Sequence, residues 1–140
     1  MKTLLLLALL LPLLGLVAPT LRADEAKPAG AAVEKNVTPD EAEKLLKQKK
    51  DLVILDVRSA DEFADGHIAG AKNLDFHGTD FAEKLKSLDK SKEYLVHCAA
   101  GCRSAQAVKK MKLENFQTIY HMNGGLHAWE AAGKPVEKGK

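Results

Sequence analysis

From Tyr94 to Lys112 the chain sets a strand, a tight loop and a helix around one cysteine, and this unit constrains everything else. Tyr94 to His97 is a short apolar run of strand character. Ala99, Ala100 and Gly101 follow, too small to obstruct a tight loop, and a helical pattern begins at about Ser104. Cys98 therefore stands where the strand ends, and Arg103 where the helix starts. A thiol in that place faces loop N–H groups and the positive end of the helix dipole, and both favour the thiolate, which is the nucleophilic form. The small side chains let the backbone close around an anion. Arg103 adds a positive charge within reach. The pattern predicts a reactive cysteine in an anion cradle in preference to a buried cysteine that only caps a core strand.

Around this unit strands and helices alternate. Thr38-Pro39-Asp40-Glu41 is a helix start, with Thr38 as cap, Pro39 at the first helical position and Glu41 closing a capping box. Ala42, Leu45 and Leu46 give that helix one apolar face through about Lys49. Val37 ends a short first strand before it. Leu52 to Leu55 is an unbroken apolar run ending at Asp56, as expected of a strand buried on both faces. Ser59 to Ala64 predicts a short helix, Gly66 to Gly70 a loop and Lys72 to Leu74 a brief strand. Asp80 to Leu88 predicts a helix, Gln117 to His121 a strand, and Leu126 to Ala132 a last helix stopped by Gly133 and Pro135. Such alternation implies a parallel sheet with helices on both faces. Its crevice lies at the carboxyl ends of the strands. Asp56-Val57-Arg58, His97-Cys98 and His121 to Gly125 fall there, so the distinctive chemistry gathers on one edge.

Outside this unit the sequence sets bounds. Leu4 to Val17 is an apolar run of 14 residues behind Lys2, and Leu21-Arg22-Ala23 offers a cleavage site before Asp24. Residues 1–23 thus read as a secretory signal peptide, too short and too interrupted by Pro12 and Gly15 for a spanning helix. Residues 24–36 read as a flexible lead-in and residues 37–138 as one domain. The chain is expected to be exported, to a periplasm or, without an outer membrane, to the medium. Removal of Lys2 and Arg22 with the signal leaves 19 basic against 19 acidic residues. That balance gives no reason to expect nucleic acid, or a membrane after signal cleavage. Cys98 and Cys102 are too close to make a structural disulfide framework. The histidines have no ligand-like spacing, and with two cysteines a zinc site is not expected. His67 is expected to satisfy a backbone carbonyl, and Trp129 to lie in the core. Neither a Walker loop nor the G-x-G-x-x-G dinucleotide pattern is present, and no cofactor is expected.

Three blocks carry a resemblance to a known family. His97-Cys98-Ala99-Ala100-Gly101-Cys102-Arg103-Ser104 resembles the active-site loop of the rhodanese sulfurtransferases. Asp56-Val57-Arg58 through Glu62-Phe63 to Gly66-His67-Ile68-Ala69-Gly70-Ala71 agrees with it, as does Gly124-Gly125 followed by Trp129. The resemblance implies a rhodanese-like α/β fold, with a doubly wound five-stranded parallel sheet. It implies sulfur transfer by a ping-pong route. Cys98 attacks the outer sulfur of a small anionic donor such as thiosulfate, sulfite leaves, and a persulfide is carried to a thiophilic acceptor, which can be a protein. The N–H groups from Ala99 through Ala100, Gly101 and Cys102 to Arg103 would hold the charged sulfur, and Arg103 would help bind the donor.

In this picture Asp56 fixes loop backbone, Arg58 braces the cleft, and Arg58 can pair with Glu62 on a helix. No general base is expected, because a thiolate attacks. Four residues separate Cys98 from Arg103, whereas the related phosphatases have five, and the shorter loop suits one sulfur. Two alternatives stay open: a persulfide carrier for a partner protein, and a thiol redox enzyme in which Cys102 resolves Cys98.

Overall fold

The computed structural model describes residues 30–139. The expected signal peptide, and the lead-in before Gly30, lie outside them. Among the described residues no helix is long and apolar enough to cross a membrane. Ten elements follow in order: β1 (Val33–Val37), α1 (Pro39–Gln48), β2 (Val53–Asp56), α2 (Ala60–Asp65), β3 (Lys72–Asn73), α3 (Phe81–Ser87), β4 (Glu93–His97), α4 (Cys102–Leu113), β5 (Thr118–Met122) and α5 (Gly125–Ala131). The strands form one parallel sheet in the order β1-β5-β4-β2-β3.

The helices start where the sequence supplies caps. Thr38 Oγ1 accepts the Glu41 N–H, and the Glu41 carboxylate accepts the Thr38 N–H. Ser59 and Glu62 repeat the device at α2. The central strands are apolar on both faces because both are covered. Ile54 and Leu95 belong to the core that holds Ala42, Leu126 and Trp129. Their neighbours Leu55 and Val96 belong to the opposite core, with Phe81, Val108 and Met111. Alternation along each strand thus sends successive side chains to α1 and α5 on one side and to α3 and α4 on the other. Each large apolar side chain taken out of water here contributes about 1.5–3 kcal/mol.

Two boundaries differ from those the sequence suggests. The sheet begins at Val33, within the stretch that reads as lead-in. The ladder N–H and C=O groups of β5 capture those residues, pairing Val33 with Thr118 through Val37 with Met122. The helix expected from Ser104 begins at Cys102, because Gly101 takes the left-handed conformation (φ 115°) and turns the chain into the helix two residues sooner.

Candidate active site

The carboxyl edge of the sheet brings together the ends of β1, β2, β4 and β5. Cys98 follows β4 directly and is 1% exposed. The Gly101 N–H donates to Cys98 Sγ at 3.1 Å, and Ser104 Oγ lies 3.3 Å from the same sulfur. Burial pushes the thiol up. The Ser104 hydroxyl and the N–H groups of Ser104, Gly101 and Ala100 more than offset this, so the thiol lies below its ordinary value. Those donors face the sulfur at the N-terminus of α4, where the helix dipole also favours a negative charge. The arrangement can hold a thiolate, and it can hold a further charged sulfur attached to one.

The loop is fixed from outside by α5. The N–H groups of Leu126 and His127 donate to Cys98 O at 2.8 Å and Ala99 O at 3.0 Å. This close approach explains the second glycine of the pair. A Cβ on Gly125 would lie 2.3 Å from Cys98 O and 2.6 Å from Ala99 O, and its φ is +58°. From inside, His97 Nδ1–H donates to Cys98 O at 3.1 Å. Burial holds the His97 imidazole below its ordinary value, so it is neutral. Its Nε2 has no hydrogen-bond partner and lies 3.8 Å from Asp56 Oδ2.

The expected supporting residues are present in altered pairings. Asp56 Oδ1 accepts the Arg58 N–H at 3.0 Å, which fixes the loop backbone as the sequence suggests. Its Oδ2 accepts Arg58 Nη2–H at 2.7 Å, and Nη2 also donates to Gly66 O at 2.6 Å. Arg58 therefore does not pair with Glu62. Residue 58 lies in the turn before α2, so the spacing of four never becomes a helical one. Glu62 instead accepts Arg103 Nη1–H and Nη2–H at 2.7 and 2.8 Å, tying α2 to α4 across 41 residues. The bidentate guanidinium holds the Glu62 carboxyl at about 2, and two hydrogen bonds from Ser59 assist. Arg103 is thus both a first-turn residue and an ion-pair partner, and its fork is engaged. His67 Nδ1 meets Phe63 O at 2.9 Å, and Trp129 is buried. Cys98 and Cys102 are both free thiols, the first buried and the second exposed.

A family model, that of the rhodanese-like domain, matches residues 38–132, most of the described chain. The chain belongs to the rhodanese-like family. The thiosulfate sulfurtransferase GlpE of Pseudomonas putida is 34% identical over 97 residues, spanning 69% of this chain and 86% of the relative. The crystal structure of a rhodanese-like domain protein from Staphylococcus aureus is similar, with a TM-score of 0.65 and 32% identity over 76% of this chain and 99% of that one. A Rhodopseudomonas palustris protein of unknown function, described as a possible tyrosine phosphatase, matches with a TM-score of 0.61 and 30% identity. It covers 78% of this chain and 88% of that one. The fold of this rhodanese-like chain is thus common to proteins given different chemistries, and the loop has to decide between them.

Three residues of the site escape a reading by spacing alone. Ser104 is six residues from Cys98 and reaches its sulfur from the first turn of α4. His121 Nε2 lies 2.7 Å from Ser104 Oγ, and His121 Nδ1 lies 3.2 Å from Asn36 Oδ1. Asn36 and His121 are register partners on β1 and β5. The rule that places chemistry at strand ends picks out His121. Nothing in the spacing picks out Asn36, which needs the strand order.

Proposed function

We propose that this chain is a sulfurtransferase that moves a sulfane sulfur from a donor such as thiosulfate to a nucleophilic acceptor through a Cys98 persulfide. The observation that carries this reading is the Cys98 sulfur itself. It sits at a strand end, 3.1 Å from the Gly101 N–H, in a loop of four residues before Arg103. The Cys98 thiolate attacks the outer sulfur of thiosulfate. The bond between the two sulfurs of the donor breaks, its electron pair leaves with sulfite, and Cys98 retains the outer sulfur as a persulfide anion. The N–H groups between Ala99 and Arg103 receive its charge. An acceptor such as cyanide then attacks the outer sulfur, and Cys98 departs as a thiolate. Asp56 and Arg58 hold the neighbouring turn, and Glu62 holds Arg103 at the rim. Residues 1–23 would direct export, and cleavage after Ala23 would start the mature chain at Asp24.

Thiocyanate release from thiosulfate and cyanide tests the reading, with p-nitrophenyl phosphate turnover on the same preparation. Wild type should transfer sulfur and leave the phosphate ester intact, and Cys98→Ser should abolish transfer. In a loop this short a phosphate would meet backbone before phosphorus reached in-line distance, and a displacement of about 1 Å already costs on the order of a hundredfold. Phosphatase activity that exceeds sulfur transfer and vanishes in Cys98→Ser would overturn the proposal.

A further inference from the structure

We propose that His121, acting through Ser104, takes the proton of the Cys98 thiol, so that the attacking form of the site is a Cys98 thiolate coupled to a His121 imidazolium. The inference rests on the reading of Cys98 as the nucleophile, and it adds a positioning residue that the single-cysteine mechanism does not call for.

The hydrogen-bond count carries it. Asn36 presents Oδ1 to His121 Nδ1 at 3.2 Å, so Nδ1 bears a hydrogen and, in the neutral ring, Nε2 offers a lone pair. Ser104 Oγ has one hydrogen and three neighbours: His121 Nε2 at 2.7 Å, Gly101 O at 3.0 Å and Cys98 Sγ at 3.3 Å. While Cys98 is a thiol, the chain is satisfied in one direction. The S–H donates to Ser104 Oγ, and the Ser104 O–H donates to Nε2. Once Cys98 is a thiolate, the Gly101 N–H already donates to its sulfur, and the Ser104 hydroxyl can join it only by turning its hydrogen to Sγ. That leaves two lone pairs facing each other at the shortest contact of the chain. The conflict ends if Nε2 carries a proton. Transfer of the sulfur's proton to Oγ, and of the hydroxyl's proton to Nε2, does this with no proton gained from or lost to solvent. When a later acceptor expels Cys98 from the persulfide, the same imidazolium faces the leaving thiolate through Ser104.

The surroundings permit the charge. His121 faces Glu34 and Asn36 from β1, and Ser104 and the Gly101 carbonyl from the start of α4. Glu34 is itself bound by Lys112 Nζ at 2.6 Å. Burial pushes the imidazole down, while Glu34 and the Gly101 backbone push it up, and the balance falls below the ordinary value. Alone, then, the ring is neutral near pH 7. It gains its proton when the thiolate forms beside it, as two coupled groups do.

The test needs no sulfur donor, so its failure is distinct from a failure of sulfur transfer. Iodoacetamide labelling of the purified protein is followed from pH 5 to pH 10 by peptide mass spectrometry, which scores Cys98 and Cys102 separately. Gln at position 121 can bond to Ser104 but cannot be protonated. In His121→Gln the Cys98 profile should move to higher pH by about one unit, which slows its labelling near pH 6 about tenfold. Cys102 labelling should not change. Nitrogen-15 shifts of the His121 ring in wild type supply the second readout and require no variant at position 121. The ring should be an imidazolium wherever Cys98 reacts as a thiolate and turn neutral in Cys98→Ala. Linkage requires the two midpoints to move by equal amounts. A Cys98 profile within twofold of wild type in folded His121→Gln would overturn the proposal. So would a neutral His121 in wild type at a pH where Cys98 is a thiolate.

Discussion

The carboxyl edge of the sheet carries two buried polar networks, one on each face, and they are built in opposite ways. Asp56, Arg58 and His97 lie on the side of α1 and α5. Cys98, Ser104 and His121 lie on the side of α4. In the first network every proton stays on one donor, and Arg58 Nε–H is shared only between the two oxygens of Asp56. Asp56 accepts from the Arg58 backbone and guanidinium, Arg58 also donates to Gly66 O, and Asn73 Nδ2–H closes the turn by donating to Asp56 O and Arg58 O. Charge is matched by charge, and the geometry is over-determined. In the second network no buried Arg or carboxylate fixes the charge, and the Ser104 hydrogen has three acceptors in range. The first holds a turn still, and the second offers a hydroxyl hydrogen more than one position beside the Cys98 sulfur. The Cys98 carbonyl joins them, since it accepts both the His97 Nδ1–H and the Leu126 N–H. Ordered polar groups can therefore serve rigidity or chemistry, and the number of alternative proton positions separates the two uses.

Removal of charge from the over-determined side should give the largest loss of stability. Asp56→Ala leaves the Arg58 guanidinium, 5% exposed, without its carboxylate. An uncompensated buried charge costs about 3–5 kcal/mol. Urea unfolding at pH 7 should show a loss of unfolding free energy of that size. Replacing Asp56 and Arg58 together by leucines should recover part of it, because no charge is then buried alone. If Asp56→Ala matches wild type within about 1 kcal/mol, the network does not hold the turn.

An extra methyl group at the junction should produce a smaller loss of stability and a larger loss of rate. Gly125→Ala places Cβ against the Cys98 and Ala99 carbonyls at 2.3 and 2.6 Å, in a left-handed conformation. Overpacking of this kind costs about 1–3 kcal/mol. The backbone that has to move carries the Cys98 sulfur, and a displacement of about 1 Å costs roughly a hundredfold in rate. Thiocyanate release should therefore fall much further than the melting temperature suggests. Rate and stability falling in the same proportion would mean that α5 supports the fold without aiming the loop.

The difference between the networks also explains what spacing could foresee. The Thr38–Glu41 capping box and the Gly124-Gly125 turn are local, and local geometry is fixed by neighbouring residues. The Cys98 loop is local too, so its cradle is foreseen from residues 97 to 104. Arg58 and Glu62 fail by the same rule, since a spacing of four means contact only if both residues lie on one helix. Arg103 and Glu62 meet because α2 and α4 are brought together at the sheet edge. His121 and Asn36 meet because β5 pairs with β1, and strand order follows from packing of the whole chain.

The smallest effect should come from the ion pair at the rim, which resembles the Asp56–Arg58 pair in geometry but not in burial. The Glu62 side chain is 37% exposed and Arg103 is 23% exposed. Water screens the pair, so its contribution should stay below about 1 kcal/mol, against several for the buried pair. Its pH dependence has a definite sign. The folded carboxyl lies at about 2, held down first by the Arg103 hydrogen bonds, whereas an unfolded glutamate titrates near about 4.3. A depressed carboxyl stabilises the fold above the unfolded value and loses that contribution as the pH falls toward the folded one. Glu62→Gln should therefore be slightly less stable than wild type at pH 7. The gap should narrow between about pH 5 and pH 2, the window set by those two values. Urea midpoints for both proteins at pH 7, 4 and 2.5 measure it. The absence of a gap at pH 7 would mean that the Ser59 hydrogen bonds, which glutamine can largely keep, carry the interaction and the charge of Arg103 does not.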